Sequence, residues 1–297
     1  MSMTKTLGVM TYIDNSETMI QEFSWLYKSW IYSGNWKTSD LIVVHHPDIA
    51  DHLPLSEPGV ITIPCAPAAA PGSAFEGYHF INSIACLAGP HVDPIAQRYP
   101  FLLRTDADVF LTEHLADVRP EFPVHGRGLY HRSAGFRRGM LDFCERHGIE
   151  HMNHFGCGSS LLARADLVMH MLARQTYWTE IILKDFGESP GVWPGWWRGV
   201  ATMYAAEIVA NEQWGAYLAY GRERILDVES FSLAPIDKMI YHIHALPTHD
   251  YFSKYSFRAG EYKDIDIDTL DRRIVREYCH WIAAADAGMI KEMSGYP

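Results

Sequence analysis

With 297 residues, 48% of them hydrophobic, the chain carries enough apolar side chains to bury a large α/β core. Its formal net charge of -11 excludes a general polyanion binder, which relies on many Lys and Arg contacts, and leaves room only for a local basic patch. The first residues lack an apolar signal-peptide region, no run approaches the roughly 18 apolar residues of a membrane span, and the five cysteines are scattered without a Cys-x-x-Cys pair, so a soluble, cytoplasmic protein with reduced thiols is expected.

Residues 6–12 form a short apolar run that suits a first buried strand. Ser16 stands where an N-cap belongs, and Met19, Ile20, Phe23, Leu26, Tyr27 and Trp30 recur at helical spacing as far as Gly34. Further strands are expected over 40–47 and 59–64, each stopped by proline, and this alternation favours a parallel, doubly wound sheet. A loop rich in Ala, Pro and Gly over 66–77 precedes a helix over 78–87 and a second, shorter one around 94–99.

The stretch 101–111 then places Asp106-Ala107-Asp108 between Phe-Leu-Leu-Arg-Thr and Val-Phe-Leu. In an extended segment residues i and i+2 point to one side, so the two carboxylates can converge on a single cation. Carboxylate, water and phosphate oxygens make a shell suited to Mg²⁺ or Mn²⁺. The plainer alternative, a turn and a helix cap, fits Asp chemistry but not the apolar flanks.

Here the chain resembles the nucleotide-sugar-dependent glycosyltransferases of the GT-A fold, whose Asp-x-Asp motif ends a central strand and holds the metal-bound diphosphate of the donor. The resemblance implies one domain over 1–297, a Rossmann-like α/β/α sandwich with a mostly parallel central sheet. Residues 1–112 would be its nucleotide-binding half and 113–297 its acceptor half. Ligands of such sheets sit at the carboxyl ends of the strands. By analogy Thr11 and Tyr12 face the nucleotide base, Asp106 and Asp108 the metal and diphosphate, and Arg104 assists.

Downstream, Arg127, His131, Arg132, Arg137 and Arg138 gather in 125–140, read either as a solvated loop or as a positive rim for an anionic ligand. A glycine-rich turn over 153–163 enters a strand, and Asp166 starts a helix through Lys184. Trp193, Trp196 and Trp197 lie in a Gly- and Pro-rich segment, 187–199, where they either cover the core or stack on a sugar. The helix over 204–214 presents Glu207 and Asn211 on one face, and the resemblance implies that Glu207 faces the acceptor, as general base if the anomeric configuration inverts. After a short strand over 225–228, the stretch 238–249 brings three histidines together. Glycogenin-like enzymes complete the metal shell with a late His and place a Lys near the donor phosphates, which implies His244 and Lys254. The usual His-x-x-Gly-x-x-Lys spacing is absent here, and His242 on the same strand stays open as the ligand. A helix packed on the domain closes the chain.

The function expected is a metal-dependent glycosyltransferase, a hexosyltransferase moving a sugar from a nucleoside diphosphate sugar such as UDP-hexose. The acceptor is a glycan, a small molecule or a modified base in nucleic acid. A haloacid-dehalogenase-like phosphatase also uses Asp-x-Asp after an apolar strand, but Phe110 stands where that family has Thr. A non-catalytic sugar- or metal-binding protein is the other alternative. The absence of P-loop, Gly-x-Gly-x-x-Gly and Gly-x-Ser-x-Gly motifs argues against P-loop kinases, dinucleotide enzymes and serine hydrolases.

Overall fold

The first apolar run forms β1 (Leu7–Ile13), buried at every position, and α1 (Glu17–Tyr32) follows directly after Ser16. Ser16 has the extended backbone of an N-cap, though its hydroxyl makes no capping bond. β2 (Ser39–His45) and β3 (Val60–Pro64) come next, and proline, with no N–H to continue a ladder, bounds both. A computed structural model describes residues 5–128, 130, 133–214 and 226–297.

The helix expected over 78–87 is shorter, a 3₁₀ turn leading into α2 (Asn82–Ala85). Asn82 explains part of this, because its side chain accepts the Ala69 N–H at 2.9 Å and donates to Asp14 at 2.9 Å, tying the helix start to the preceding loop. The helix ends at Ala85 with Cys86 as its C-cap, before Gly89 and Pro90 are reached. α3 (Asp93–Ala96) delivers the chain to β4 (Phe101–Arg104), and β5 (Val109–Leu111) follows the acidic turn.

The segment 125–140 is not one loop. It holds β6 (Val124–Arg127) and the start of α4 (Ala134–Arg146), whose cap Ser133 accepts the Phe136 N–H. Phe136, Met140, Phe143 and Cys144 supply the buried stripe of that helix at spacings of three and four. β7 (Cys157–Arg164) runs into α5 (Ala165–Phe186), and α6 (Ala201–Trp214) packs on both. The short strands β8 (Val228–Glu229) and β9 (His242–His244) precede α7 (Lys254–Arg258). The expected terminal helix is two, α8 (Val275–Ala284) and α9 (Ala287–Ser294), separated where Asp286 turns the chain and caps the second.

The central sheet runs β3-β2-β1-β4-β7-β6. The β3/β2, β2/β1 and β1/β4 pairings are parallel, while β4/β7 and β7/β6 are antiparallel, so the sheet is mixed and largely parallel. Strand side chains alternate between two cores, as a sheet covered on both faces requires. Leu7, Val9, Leu41, Val43, Leu103 and Leu162 join the core beneath α1, α8 and α9. Met10, Tyr12, Ile42, Val44, Leu102 and Leu161 join the core beneath α4, α5 and α6. The result is the α/β/α sandwich expected. A second, three-stranded sheet, β5-β9-β8, stands beside the end of β4. All five cysteines are free, and no helix among the described residues is long and apolar enough to cross a membrane.

Candidate metal and donor site

β4 leaves the sheet after Arg104. The Thr105 N–H continues the parallel ladder for one more bond, to Met10 O at 2.9 Å, and the chain then turns through Asp106 and Ala107 into β5. β5 runs antiparallel to β9 with Val109 opposite His244 and Leu111 opposite His242. The Ala245 N–H bonds Asp108 O at 2.8 Å, which brings His244 beside a carboxylate 136 residues earlier in the chain. β8 pairs parallel with β9, Glu229 level with His244, and so sets Asp227 against the histidine pair from the other side.

Asp106, Asp108 and His244 each offer one ligand atom, and these atoms lie within 4.8 Å of one another. His244 Nε2 is 3.2 Å from Asp108 Oδ2, and Lys254 Nζ, at the start of α7, is 2.5 Å from the same oxygen. Lys254 also lies 3.7 Å from Glu22 on α1, which in turn accepts Arg258 at 2.8 Å. Burial alone would raise the Asp108 carboxyl, but the charges of and hydrogen bonds from His244 and Lys254 outweigh it and hold the group well below the carboxylate range. The same contacts overcome burial in the opposite direction at His244 and Lys254, whose charged forms Asp108 favours. Burial and the neighbouring Asp108 raise Glu22, against the pull of Lys254 and Arg258.

Asp106 is the more open acid and pairs with Arg104 at 2.9 Å. Arg104 itself is buried, and its remaining N–H groups go to Ser83 O and Oγ and to Ser159 O. Expected at the donor, Arg104 instead spends its donors on protein acceptors, orienting Asp106 and tying α2 to β7. His242 is fully buried. It accepts the Asp227 N–H at Nδ1 (3.1 Å), which leaves the ring proton on Nε2 for Thr105 Oγ1 at 2.8 Å, and burial pulls its pKa down to about 4. Of the two histidines left open by the sequence, His244 is the one at the carboxylates.

Residues 68–294 match a family described as a domain of unknown function, DUF7164. The chain belongs to the DUF7164 family. No curated protein matches its sequence significantly. Among solved structures the DUF7164 chain is similar to the apo form of the bifunctional glycosyltransferase WbbM, with a TM-score of 0.50 and 11% identity over 98% of this chain and 52% of that one. It is also similar to an active-site mutant of LgtC, with a TM-score of 0.43 and 12% identity over 71% of this chain and 70% of that one. The DUF7164 chain thus spans about half the length of WbbM. At this identity the likeness speaks to the fold, which is α/β of GT-A type.

Other residues of the DUF7164 chain lie elsewhere than its sequence implied. Thr11 and Tyr12, expected to face a nucleotide base, are buried within β1, because that strand is covered on both faces. Among the described residues the Tyr12 hydroxyl hydrogen-bonds only to Asp14, at 3.5 Å. Glu207, expected to face an acceptor, is wholly buried on α6. It accepts the Gly156 N–H at 2.6 Å and the Tyr130 hydroxyl at 3.1 Å, with His151 Nε2 at 3.5 Å, so it anchors the glycine turn ahead of β7. Trp196 stacks on Tyr204 with centroids 4.5 Å apart and covers the core, whereas Trp193 is exposed and meets Trp197 edge-on. Arg137 and Arg138 are exposed on α4, Arg137 over the Phe155 ring at 5.0 Å, and Arg127 is partly buried on β6. His131 and Arg132 lie outside the described residues. The sequence reading missed Glu22 and Asp227, both buried acids beside the site. The only signal at Glu22 was an acid among the inward-facing positions of α1.

Proposed function

We propose that this protein is a metal-dependent glycosyltransferase that moves a sugar, such as the hexose of a UDP-hexose, from a nucleoside diphosphate donor to an acceptor. The observation that supports this reading is the meeting of Asp106, Asp108 and His244, drawn from distant parts of the chain, at the carboxyl end of β4 in a GT-A fold. Two carboxylates and an imidazole are a donor set that fits Mn²⁺ or Mg²⁺. A bound divalent ion supplies positive charge against the charge that grows on a departing diphosphate.

The chain's own groups prepare that edge. Lys254 and His244 keep Asp108 ionised, and Arg104 fixes the orientation of Asp106. Lys254 and Arg258 add cationic charge where a diphosphate would lie, counterbalanced here by Glu22 and Asp108. A localisation in the cytoplasm and a glycan or small-molecule acceptor belong to the same proposal.

A panel of UDP-, GDP- and ADP-sugars incubated with the protein and Mn²⁺ tests the reading by release of the nucleoside diphosphate. Turnover of at least one donor, lost in EDTA and in Asp108→Ala, is the expected result. Turnover that persists in both would refute the metal-dependent mechanism, and none with any donor would refute the transferase reading.

A further inference from the structure

His244 is held between two carboxylates, one at each ring nitrogen. Nε2 lies 3.2 Å from Asp108 Oδ2, and Nδ1 lies 3.5 Å from Asp227 Oδ1. An imidazole that ligates through Nε2 must keep its proton on Nδ1, and an acceptor there selects the tautomer and stops the ring from turning.

Asp227 is built into that place with some care. It sits in the left-handed region at φ 56, a conformation Asp tolerates better than most residues, just ahead of β8. Ser160 on β7 donates to Oδ1 at 2.7 Å, and the Asp227 N–H goes to His242 Nδ1. Its other oxygen, Oδ2, is buried without a hydrogen-bond partner among the described residues. That oxygen lies over two glycines of the neighbouring strands. A methyl on Gly126 would lie 1.5 Å from Oδ2, and one on Gly158 2.5 Å from it. Gly126 therefore does without a side chain where the carboxylate lies, Gly158 does so for the carboxylate and for the β6 backbone 2.5–2.6 Å from where its methyl would stand, and half of that carboxylate is buried without a partner among the described residues, an arrangement that costs stability.

We propose that Asp227 is a positioning residue for His244, with Gly126 and Gly158 forming the slot that admits its carboxylate. The inference rests on the reading of Asp106, Asp108 and His244 as a cation site, and it assigns to Asp227 the outer partner that such a histidine needs.

Mn²⁺ titrations followed by electron paramagnetic resonance, on the full chain and on Asp227→Ala, Gly126→Ala and the double variant, test it. Loss of an outer partner should weaken Mn²⁺ binding by about ten- to a hundred-fold in Asp227→Ala. Gly126→Ala should weaken it in the same direction, because the three atoms nearest its methyl all belong to Asp227. The double variant should bind no more weakly than Asp227→Ala alone, since both changes act through one carboxylate. Binding of Asp227→Ala within twofold of the native protein, or losses that multiply in the double variant, would overturn the proposal. A native protein that binds no Mn²⁺ would sink the cation-site reading instead. The positioning role is then decided by a crystal structure of metal-free Asp227→Ala, or of Asp227→Asn should the alanine variant not melt cooperatively. A His244 ring rotated away from Asp108 supports the role, and a ring still 3.2 Å from Asp108 Oδ2 refutes it.

Discussion

Glu207 is the residue whose replacement best separates a structural anchor from a catalytic base. Its carboxylate accepts the Gly156 N–H at 2.6 Å and lies 3.1 Å from the Tyr130 hydroxyl, which also reaches Cys157 O at 2.8 Å, and Glu207 itself is fully buried. Glu207→Ala leaves the Gly156 N–H without its acceptor, whereas the Tyr130 hydroxyl keeps Cys157 O at 2.8 Å, and one unsatisfied donor costs about 1–3 kcal/mol. For a chain of this size that is a fall in Tm on the order of 2–10 °C, readable by scanning calorimetry. Glu207→Gln keeps a carbonyl oxygen for Gly156 and should lose only about 1 kcal/mol. Sugar transfer in the glutamine variant should stay within a few-fold of the native rate. A general base would behave differently: Glu207→Gln would then cut kcat by roughly 10²–10⁴ while leaving Tm in place. That combination would refute the anchor and restore Glu207 to the chemistry.

His244→Ala should weaken Mn²⁺ binding by roughly tenfold or more, whereas His242→Ala should lower Tm and leave affinity within a few-fold; the opposite pattern, read by the same titrations, moves the ligand by two residues. Acid should destabilise the fold partly through His125, which burial pulls down to about 4 against the charge of Asp227. Its unfolded value is near 6.5, so the unfolded chain binds more protons between those values, and about 2 kcal/mol is lost as pH falls from 7 to 4.5. His125→Gln should show that much less loss in urea melts at the two pH values, and an unchanged acid slope would rule out His125 as its source. Duplex DNA titrated at rising salt should bind weakly and with little slope, in the native protein and in Arg137→Ala/Arg138→Ala alike. A log affinity that falls by roughly 0.9 per phosphate neutralised, and less steeply in the variant, would instead support a nucleic-acid acceptor.

The parts of the fold that announced themselves in the sequence are those whose pattern is local. β1, α1, β2 and β3 follow from apolar periodicity and from proline stops. The acidic pair showed because two carboxylates stood between apolar runs. α4 was hidden because arginines and glycines outnumber the apolar residues of its first turns, although Phe136 and Met140 keep helical spacing. Glu207 misled because a Glu on a helix is usually solvated, while α6 is covered by α5 on one side and β7 on another. The small residues Ala205, Ala206 and Ala210 around it were the available sign of close packing. Asp227 gave no sign of its own. Its role depends on the absence of side chains at Gly126 and Gly158 and on the register of β8 with β9, neither of which is visible near position 227.

The strand β9 also has a bearing on the order in which the molecule assembles. β1, β2 and β3 meet through short sequence separations, but β9 must return across 136 residues to reach Asp108, and closing a flexible ring of that length costs about 4 kcal/mol before any contact offsets it. Contacts of such high contact order form late. The parallel frame should therefore exist for a time with its acidic turn open to water and no histidine or lysine beside it. Three-residue β5 and β9 hold the return by few backbone bonds, so this clasp is also the natural place for the first partial opening of the native state. In a hydrogen-exchange experiment the amides of Phe110 and Ile243 should exchange together, ahead of those in the middle of β1. The protein would then lose its candidate site well before it loses its fold.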